Sequence, residues 1–491
     1  MTYLDKNITS INEALNNKEV TSELLIEEAV ANINKTKSSV NAFVTNTKEY
    51  ALNQASNLSN IEDNILKGIP YALKDNFSTK GVLTTASSNI LADYVPVYDA
   101  TIVKRLHDKG ALLVGKTVLD ELAMGGSGTT GHTGSVKNPW DTTRLIGGSS
   151  AGSAASVAAG IVPYAIGSDT GDSIRKPACY GGVVGYKPTY GLVSRYGLFA
   201  FASSLDHVGC FTRCVRDVAY VIDAIKGEDK LDMTSIDTTN MNLTKDLTRD
   251  VKGKKLFYIK EIMDETNYTD CMDDNIKAIF DNFKDVLDKC EKIGISVEEV
   301  SFDIELLKAI FPTYITISCA EATSNNSNLT GIIFGPREKG NNINEIMFNS
   351  RTKGFSELIK RRFILGSYIL QKENQERLFL NAGRVRRLIV DKMTQLFNDY
   401  DGLILPASGD IAPTFIEESI NKLSNRYLLL ENHLAIGNFG GFPSITIPSG
   451  LVDGMPIAIN ITSGIKHDQD VLNIAYALEE EIGFKSNTGV K

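Results

Sequence analysis

Residues 144–188, RLIGGSSAGSAASVAAGIVPYAIGSDTGDSIRKPACYGGVVGYKP, carry two hydroxyl clusters on a background of Gly, Ser and Ala. One is Gly147-Gly148-Ser149-Ser150 and the other is Ser168-Asp169-Thr170-Gly171-Asp172-Ser173. A serine hydroxyl is a weak nucleophile until a neighbouring base takes its proton. Lys74, at the end of the apolar run Gly68-Ile-Pro-Tyr-Ala-Leu-Lys74, is a candidate base. Burial or cationic neighbours favour its neutral amine. A second serine would pass the proton between them. Acyl transfer at such a site also needs backbone N–H groups for the developing oxyanion. Thr170, Gly171, Asp172 and Ser173 offer four successive amides in a tight turn.

A different serine chemistry competes. Gly148-Ser149-Ser150-Ala151-Gly152 matches the G-x-S-x-G nucleophile elbow. That motif requires a strand immediately before it and a histidine later in the chain. The preceding Asn138-Pro-Trp-Asp-Thr-Thr-Arg144 reads as loop. Of the five histidines (His107, His132, His207, His433, His467), only the last two come late enough, and neither lies in an informative context. The residues alone leave the lysine reading open beside a plainer one, since Ser/Gly-rich loops also bind phosphates or simply turn.

Elements must position these groups. Residues 68–76 read as a strand with Lys74 at its C-terminal end, where α/β proteins commonly place functional groups. Residues 151–159 read as a helix of small residues ending at Gly160, and 161–166 as a buried strand. Helix at 100–109 and strand at 111–115 continue the α/β alternation. The first 60 residues read as helical, with Ser10-Ile-Asn-Glu13 as a capping box. Residues 189–213 read as loop and 215–226 as helix. Strands at 255–260 and 297–302 flank an amphipathic helix at 274–293. Residues 304–400 are mostly helical, with a Gly/Asn-rich break near 335–343. Short strands at 403–405, 444–447 and 457–461 precede a final helix at 468–482.

The chain has 491 residues, 42% of them hydrophobic, enough for a large core. No repeat or linker divides it. The expectation is one α/β domain over 1–491, a large mixed, twisted central sheet covered by helices. Its parts are N-terminal helices (1–65), the serine-bearing core (66–215), a decorated middle (216–400) and C-terminal strands and helix (401–491). With 51 basic against 60 acidic residues, net −9, the chain is poorly suited to grip phosphate backbones itself. The N-terminus lacks a signal-peptide pattern, and no apolar stretch of about 18 residues suggests a membrane span. The six cysteines include no CxxC and read as reduced thiols of a cytoplasmic protein.

The block GGSSAGSAASVAAG…GSDTGDSIRKPACYGGVVGYKPTYG closely resembles the amidase signature family, with Lys74 lying 99 positions and Ser149 24 positions before Ser173. The resemblance runs from about residue 67 to 215, with weaker echoes to the C-terminus. It implies the amidase-signature fold, with Ser173 as nucleophile, Ser149, after a cis peptide bond, as bridging serine, and Lys74 as base. Within the family the likeness is to the glutamine-hydrolysing subunits of tRNA-dependent amidotransferases. It is carried by Lys187-Pro-Thr-Tyr-Gly191, Val193-Ser-Arg-Tyr-Gly-Leu198, Phe201-Ala-Ser-Ser-Leu-Asp206, Ser324-Asn325 and Ile359-Lys-Arg-Arg-Phe-Ile-Leu-Gly366. It implies glutamine as substrate and ammonia passed to a B subunit, in a complex that also holds a C subunit. There, ATP-activated glutamyl-tRNA(Gln) or aspartyl-tRNA(Asn) is amidated. ATP and Mg would then belong to the partner, tRNA would be held through it, and this chain would carry no metal or cofactor. The resemblance further implies Arg361 or Arg362 for the substrate carboxylate and Glu431 for its ammonium. Tyr314, Met124 and Gly125 would line the pocket. The alternatives are a free-standing amidase acting on another amide and a binding subunit with a disabled site.

Three positions depart from the family. Asp172 stands where a glycine is common, and its carboxylate must not face the oxyanion, with Arg175 or Lys176 placed to screen it. The loop after Met124 is Gly-Gly-Ser-Gly-Thr-Thr-Gly instead of Ser-Ser-Thr-Glu. Cys210 stands where proline is frequent.

Overall fold

Two apolar runs, Pro70–Lys74 and Leu112–Thr117, pair in parallel and start the sheet that organises the molecule. The computed structural model describes residues 2–333, 335–416 and 423–485. Among them eleven strands form one mixed sheet. In chain order they are β1 (Phe43–Asn46), β2 (Pro70–Lys74), β3 (Leu112–Thr117), β4 (Tyr164–Asp169), β5 (Val184–Lys187), β6 (His207–Thr212), β7 (Lys255–Ile259), β8 (Ser296–Val300), β9 (Gly402–Pro406), β10 (Ser444–Val452) and β11 (Met455–Thr462). Across the sheet the order is β1-β3-β2-β4-β6-β5-β10-β11-β9-β7-β8. Every residue of β2, β3, β4 and β6 is buried, the burial expected of strands covered on both faces. Two large apolar clusters flank the sheet. One gathers Leu25, Ile26, Leu106, Ile222 and Leu472, and the other Ile317, Ile359, Phe363, Ile389 and Met393. Each such buried side chain contributes about 1.5–3 kcal/mol. No helix among the described residues is long and apolar enough to cross a membrane.

The sequence reading locates most elements and misplaces a few. The first helix, Ile8–Asn16, is capped by Asn7, whose side chain accepts the Ser10 N–H at 2.9 Å. Ser10 therefore lies inside the helix, and the proposed capping box is not used. The N-terminal segment also contains β1, only four residues long and partly exposed, so it gives little apolar pattern. β4 begins at Tyr164, three residues later than expected. β6 lies within the segment read as loop and carries Cys210 in the centre of the sheet, opposite Ile166. β5 and β6 escape detection because they contain glycine where chains nearly touch. A Cβ on Gly209 would stand 2.0 Å from the Tyr186 carbonyl oxygen. The β10–β11 hairpin turns at Asp453-Gly454, both with positive φ (49° and 73°), as a two-residue turn with this twist requires.

The Ala151–Ala158 helix is built of small residues because it lies against the end of β3 and the residue before β1. Gly152 donates its N–H to the Val118 carbonyl at 2.9 Å, and a Cβ there would stand 2.2 Å from the Ala42 carbonyl oxygen. Gly152→Ala is therefore expected to lower stability by about 1–3 kcal/mol through overpacking, despite alanine's better helix propensity. Urea denaturation of both proteins measures this; an unchanged midpoint would contradict the tight contact.

Candidate active site

β2 and β4 run side by side in parallel, so their C-terminal ends bring Lys74 and Ser168 together. Lys74 is fully buried. Its Nζ lies 2.8 Å from Ser149 Oγ, 2.8 Å from Ser150 Oγ, 2.9 Å from Ser168 Oγ and 3.2 Å from the Ser168 carbonyl. Ser150 Oγ donates onward to the same carbonyl at 2.9 Å. Burial pulls the Lys74 ammonium down to about 7, against the upward pull of the Asp120, Asp169 and Asp206 carboxylates. The site therefore holds an amine that is readily neutral, with a serine hydroxyl in contact.

The Gly148–Ser149 peptide bond is cis. Asp120 fixes this turn from below. Its N–H donates to the Ser149 carbonyl at 3.1 Å, and its carboxylate accepts the N–H groups of Ser127, Gly128, Thr129 and Thr130 at 2.9–3.2 Å. A Cβ on Gly148 would stand 2.1 Å from Asp120 Oδ2, so only glycine fits there. The unusual Gly-Gly-Ser-Gly-Thr-Thr loop is thus wound around one carboxylate. Met124 is fully buried beside it, and Gly125, half-buried, packs on the Asp120 side chain.

Ser173 is buried, and its carbonyl accepts the Ser150 N–H at 3.2 Å, which ties the two hydroxyl clusters together. No hydrogen bond joins the Ser173 and Ser149 hydroxyls. The N–H groups of Gly171, Asp172 and Ser173 donate to no described residue, whereas the next, Ile174, donates to Asp169 Oδ2 at 2.8 Å. Free amides in a buried turn suit an oxyanion. Three groups hold the turn. Thr170 donates its hydroxyl to Asp206 at 2.7 Å, Arg175 pairs with Asp169 at 3.0 Å, and Asn438 donates to Asp169 at 2.9 Å.

The pocket residues fall on the adjoining helices. Tyr314, in the Ile310–Asn325 helix, covers Gly171 so closely that a Cβ there would stand 2.9 Å from the ring. The Glu357–Ile369 helix packs on it through Gly366, where a Cβ would stand 2.1 Å from the Cys319 carbonyl. Arg362 lies three residues after buried Ile359 and four before Gly366, on the inward face; Arg361 is exposed. The Arg362 guanidinium lies 5.8 Å from the Phe201 ring centroid and 3.9 Å from Cys319 Sγ, and its Nε is buried with no partner. Glu431 is bound by Lys176 in a close, nearly buried ion pair and accepts the Gly409 N–H at 3.1 Å. No histidine hydrogen-bonds a serine hydroxyl among the described residues, so the elbow-and-histidine arrangement is not formed. Among them, too, no group of three or more His, Cys, Asp or Glu side chains is placed to hold a metal ion.

A family model for amidases matches residues 24–472. The chain belongs to the amidase family. The A subunit of glutamyl-tRNA(Gln) amidotransferase from Streptococcus pneumoniae (strain ATCC 700669 / Spain 23F-1) is 40% identical to it over 489 residues, spanning 99% of this chain and 98% of that protein. The crystal structure of the corresponding glutamyl-tRNA(Gln) amidotransferase A subunit from Thermotoga maritima is 34% identical with a TM-score of 0.78, covering 97% of this chain and 95% of that one. A chain from the vestigial complex that reveals the evolutionary origins of an s-triazine catabolic enzyme is 30% identical with a TM-score of 0.82, covering 98% and 99%.

In this amidase several supporting residues gave no separate signal in the sequence. Asp120 and Asn438 make no motif with the serines, yet each pins a loop that carries one, and Asp169 and Asp206, which lie within the motifs at 168–173 and 201–206, were given no role of their own by the sequence. The only cue was an acid directly before or within a Gly/Ser/Thr-rich loop, where carboxylates commonly collect backbone N–H groups. Both cations expected to screen Asp172 pull its carboxyl down electrostatically, Lys176 more than Arg175, although neither hydrogen-bonds it. Arg175 is engaged by Asp169, Asn438 and the Gly171 and Leu434 carbonyls, and Lys176 by Glu431.

Proposed function

We propose that this amidase is the glutamine-hydrolysing A subunit of a glutamyl-tRNA(Gln) amidotransferase. The observation that carries this reading is the buried Lys74 amine in contact with Ser149, beside the free amides of the Ser173 turn. The full-length likeness to amidotransferase A subunits supports glutamine as the amide.

In this reading Ser173 Oγ attacks the side-chain carbonyl carbon of glutamine. Its proton moves through Ser149 to neutral Lys74, and the oxyanion rests on the N–H groups of the 170–173 turn. The C–N bond then breaks, the relay returns the proton to the leaving nitrogen, and ammonia departs. Water attacks the resulting glutamyl ester with the same relay as base, releasing glutamate and free Ser173. No cofactor takes part in these steps. B and C subunits complete the enzyme in the cytoplasm, with ATP, Mg and tRNA on the partner side. The net charge of −9 supports that division, since this chain offers no general attraction for a phosphate backbone. Met124 and Gly125 line the pocket wall and Tyr314 its roof.

Arg362 binds the α-carboxylate of glutamine, supported by its buried unpartnered Nε and inward position. Arg362→Ala is expected to raise KM for glutamine about 10- to 100-fold, the scale of one charge-assisted contact, while Arg361→Ala changes it less than about twofold. Steady-state kinetics of both variants decide between the neighbours; equal effects would remove the assignment.

The reading as a whole is tested by ammonia release from glutamine and from a panel of simple amides, with and without B and C subunits. Preference for glutamine, and ammonia delivered to tRNA-bound glutamate in the complex, is the expected result. Preference for an unrelated amide, with no response to the partners, would identify a free-standing amidase instead.

A further inference from the structure

The charged groups around Ser173 divide into those already engaged and one that is not. Asp169 is held by Arg175 and Asn438, Asp206 by Thr170 and the N–H groups of Phe201 and Ala202, and Glu431 by Lys176 and Gly409. The Asp172 carboxyl receives no hydrogen bond from any described residue. It is half-buried between Gly171 and Ser173, in a turn whose other residues are buried. It lies within electrostatic reach of Tyr314, which covers the turn, and of Tyr427. Burial raises it to about 6, against the downward pull of the Lys176 and Arg175 cations, neither of which bonds to it.

That position has a chemical consequence. The amides beside this carboxylate are those proposed to bind the oxyanion, and an anion with no bonded partner next to them opposes the charge that develops there. A cation seated against Asp172 during turnover removes the conflict. Lys176 is not free to be that cation, because its ammonium is closed on Glu431. Glu431, for its part, is already neutralised and offers no open carboxylate to a ligand. The substrate is the remaining source.

We propose that the Asp172 carboxylate is the group that reads the α-ammonium of the substrate, with Glu431 serving as the fixed partner of Lys176. This rests on the glutaminase reading above and names the group that makes the site selective for an amino acid over a simple carboxamide. Asp172 is then a specificity residue as well as a backbone donor. Bound ammonium and Asp172 neutralise each other, so glutamine arrives with the charge that lets the oxyanion form.

The test compares wild type, Asp172→Asn and Asp172→Gly on L-glutamine and on 5-amino-5-oxopentanoate, which lacks only the ammonium. Thermal unfolding checks that each variant is folded. For wild type kcat/KM favours glutamine. Both variants are expected to lose about 10- to 100-fold on glutamine while holding or gaining on the des-amino substrate, so the preference collapses. A parallel loss on both substrates, or an unchanged preference, would overturn the assignment. So would a Glu431→Gln variant that alone collapses the preference. If wild type turns over neither substrate yet hydrolyses other amides, the glutaminase reading itself fails, and this inference with it.

Discussion

Ser173→Ala is expected to lower ammonia release from glutamine by about four orders of magnitude or more, with the fold intact. Removing the attacking oxygen leaves no group able to form the acyl-enzyme, and nucleophile deletions in serine hydrolytic sites have costs of this scale. Ser173 sits in a buried turn fixed by the Asp169–Arg175 pair and the Thr170–Asp206 contact, none of which uses its hydroxyl. Loss of one oxygen there should barely alter stability. Turnover followed with an ammonia-coupled assay, beside the thermal midpoint of both proteins, separates lost chemistry from lost folding. Substantial residual release by the alanine variant would assign the nucleophile elsewhere, Ser149 or Ser150 being the next hydroxyls in the cluster.

Lys74→Met should be nearly as damaging, about 10³- to 10⁴-fold, because Ser149 then has no base to receive its proton. Lys74→Arg should not rescue activity, since a guanidinium stays protonated throughout the working range. The same assignment fixes a pH profile. Only the neutral amine accepts a proton, so kcat/KM should climb with pH and level off above about 7, the value to which burial lowers Lys74. A profile flat through that region, or falling, would remove Lys74 as base. The stability linkage has a definite sign as well. The unfolded chain, with an ordinary lysine pKa of 10.5, binds more protons than the folded one between about 7 and 10.5. The contribution of this residue therefore makes stability rise with pH across that window.

Much of the site could be read before the fold was seen, for a physical reason. A serine nucleophile, a relay hydroxyl and a lysine base need fixed residue types on short Gly-rich turns, and those turns leave a compositional mark at 147–150 and 168–173. The strand ending at Lys74 was equally plain, because a fully buried parallel strand is a continuous apolar run. What stayed hidden depends on tertiary contact. Arg361 and Arg362 are equivalent in sequence until the Ile310–Asn325 helix defines which face of theirs is inward. Glu431 looks like an open ligand group until Lys176 closes on it. β5 and β6 look like loop because the glycines that permit their close approach are also the residues of turns. Asp120, which organises the loop after Met124, has no partner nearby that would mark it in advance.

The central claim is that Ser173 is the nucleophile of a glutamine site. Labelling with a serine-directed fluorophosphonate, followed by peptide mapping with and without saturating glutamine, tests it most directly. The account predicts one phosphonylated peptide, modified at Ser173, whose labelling glutamine slows. Modification at Ser149 or Ser150 instead, or labelling of Ser173 that glutamine leaves untouched, would contradict it.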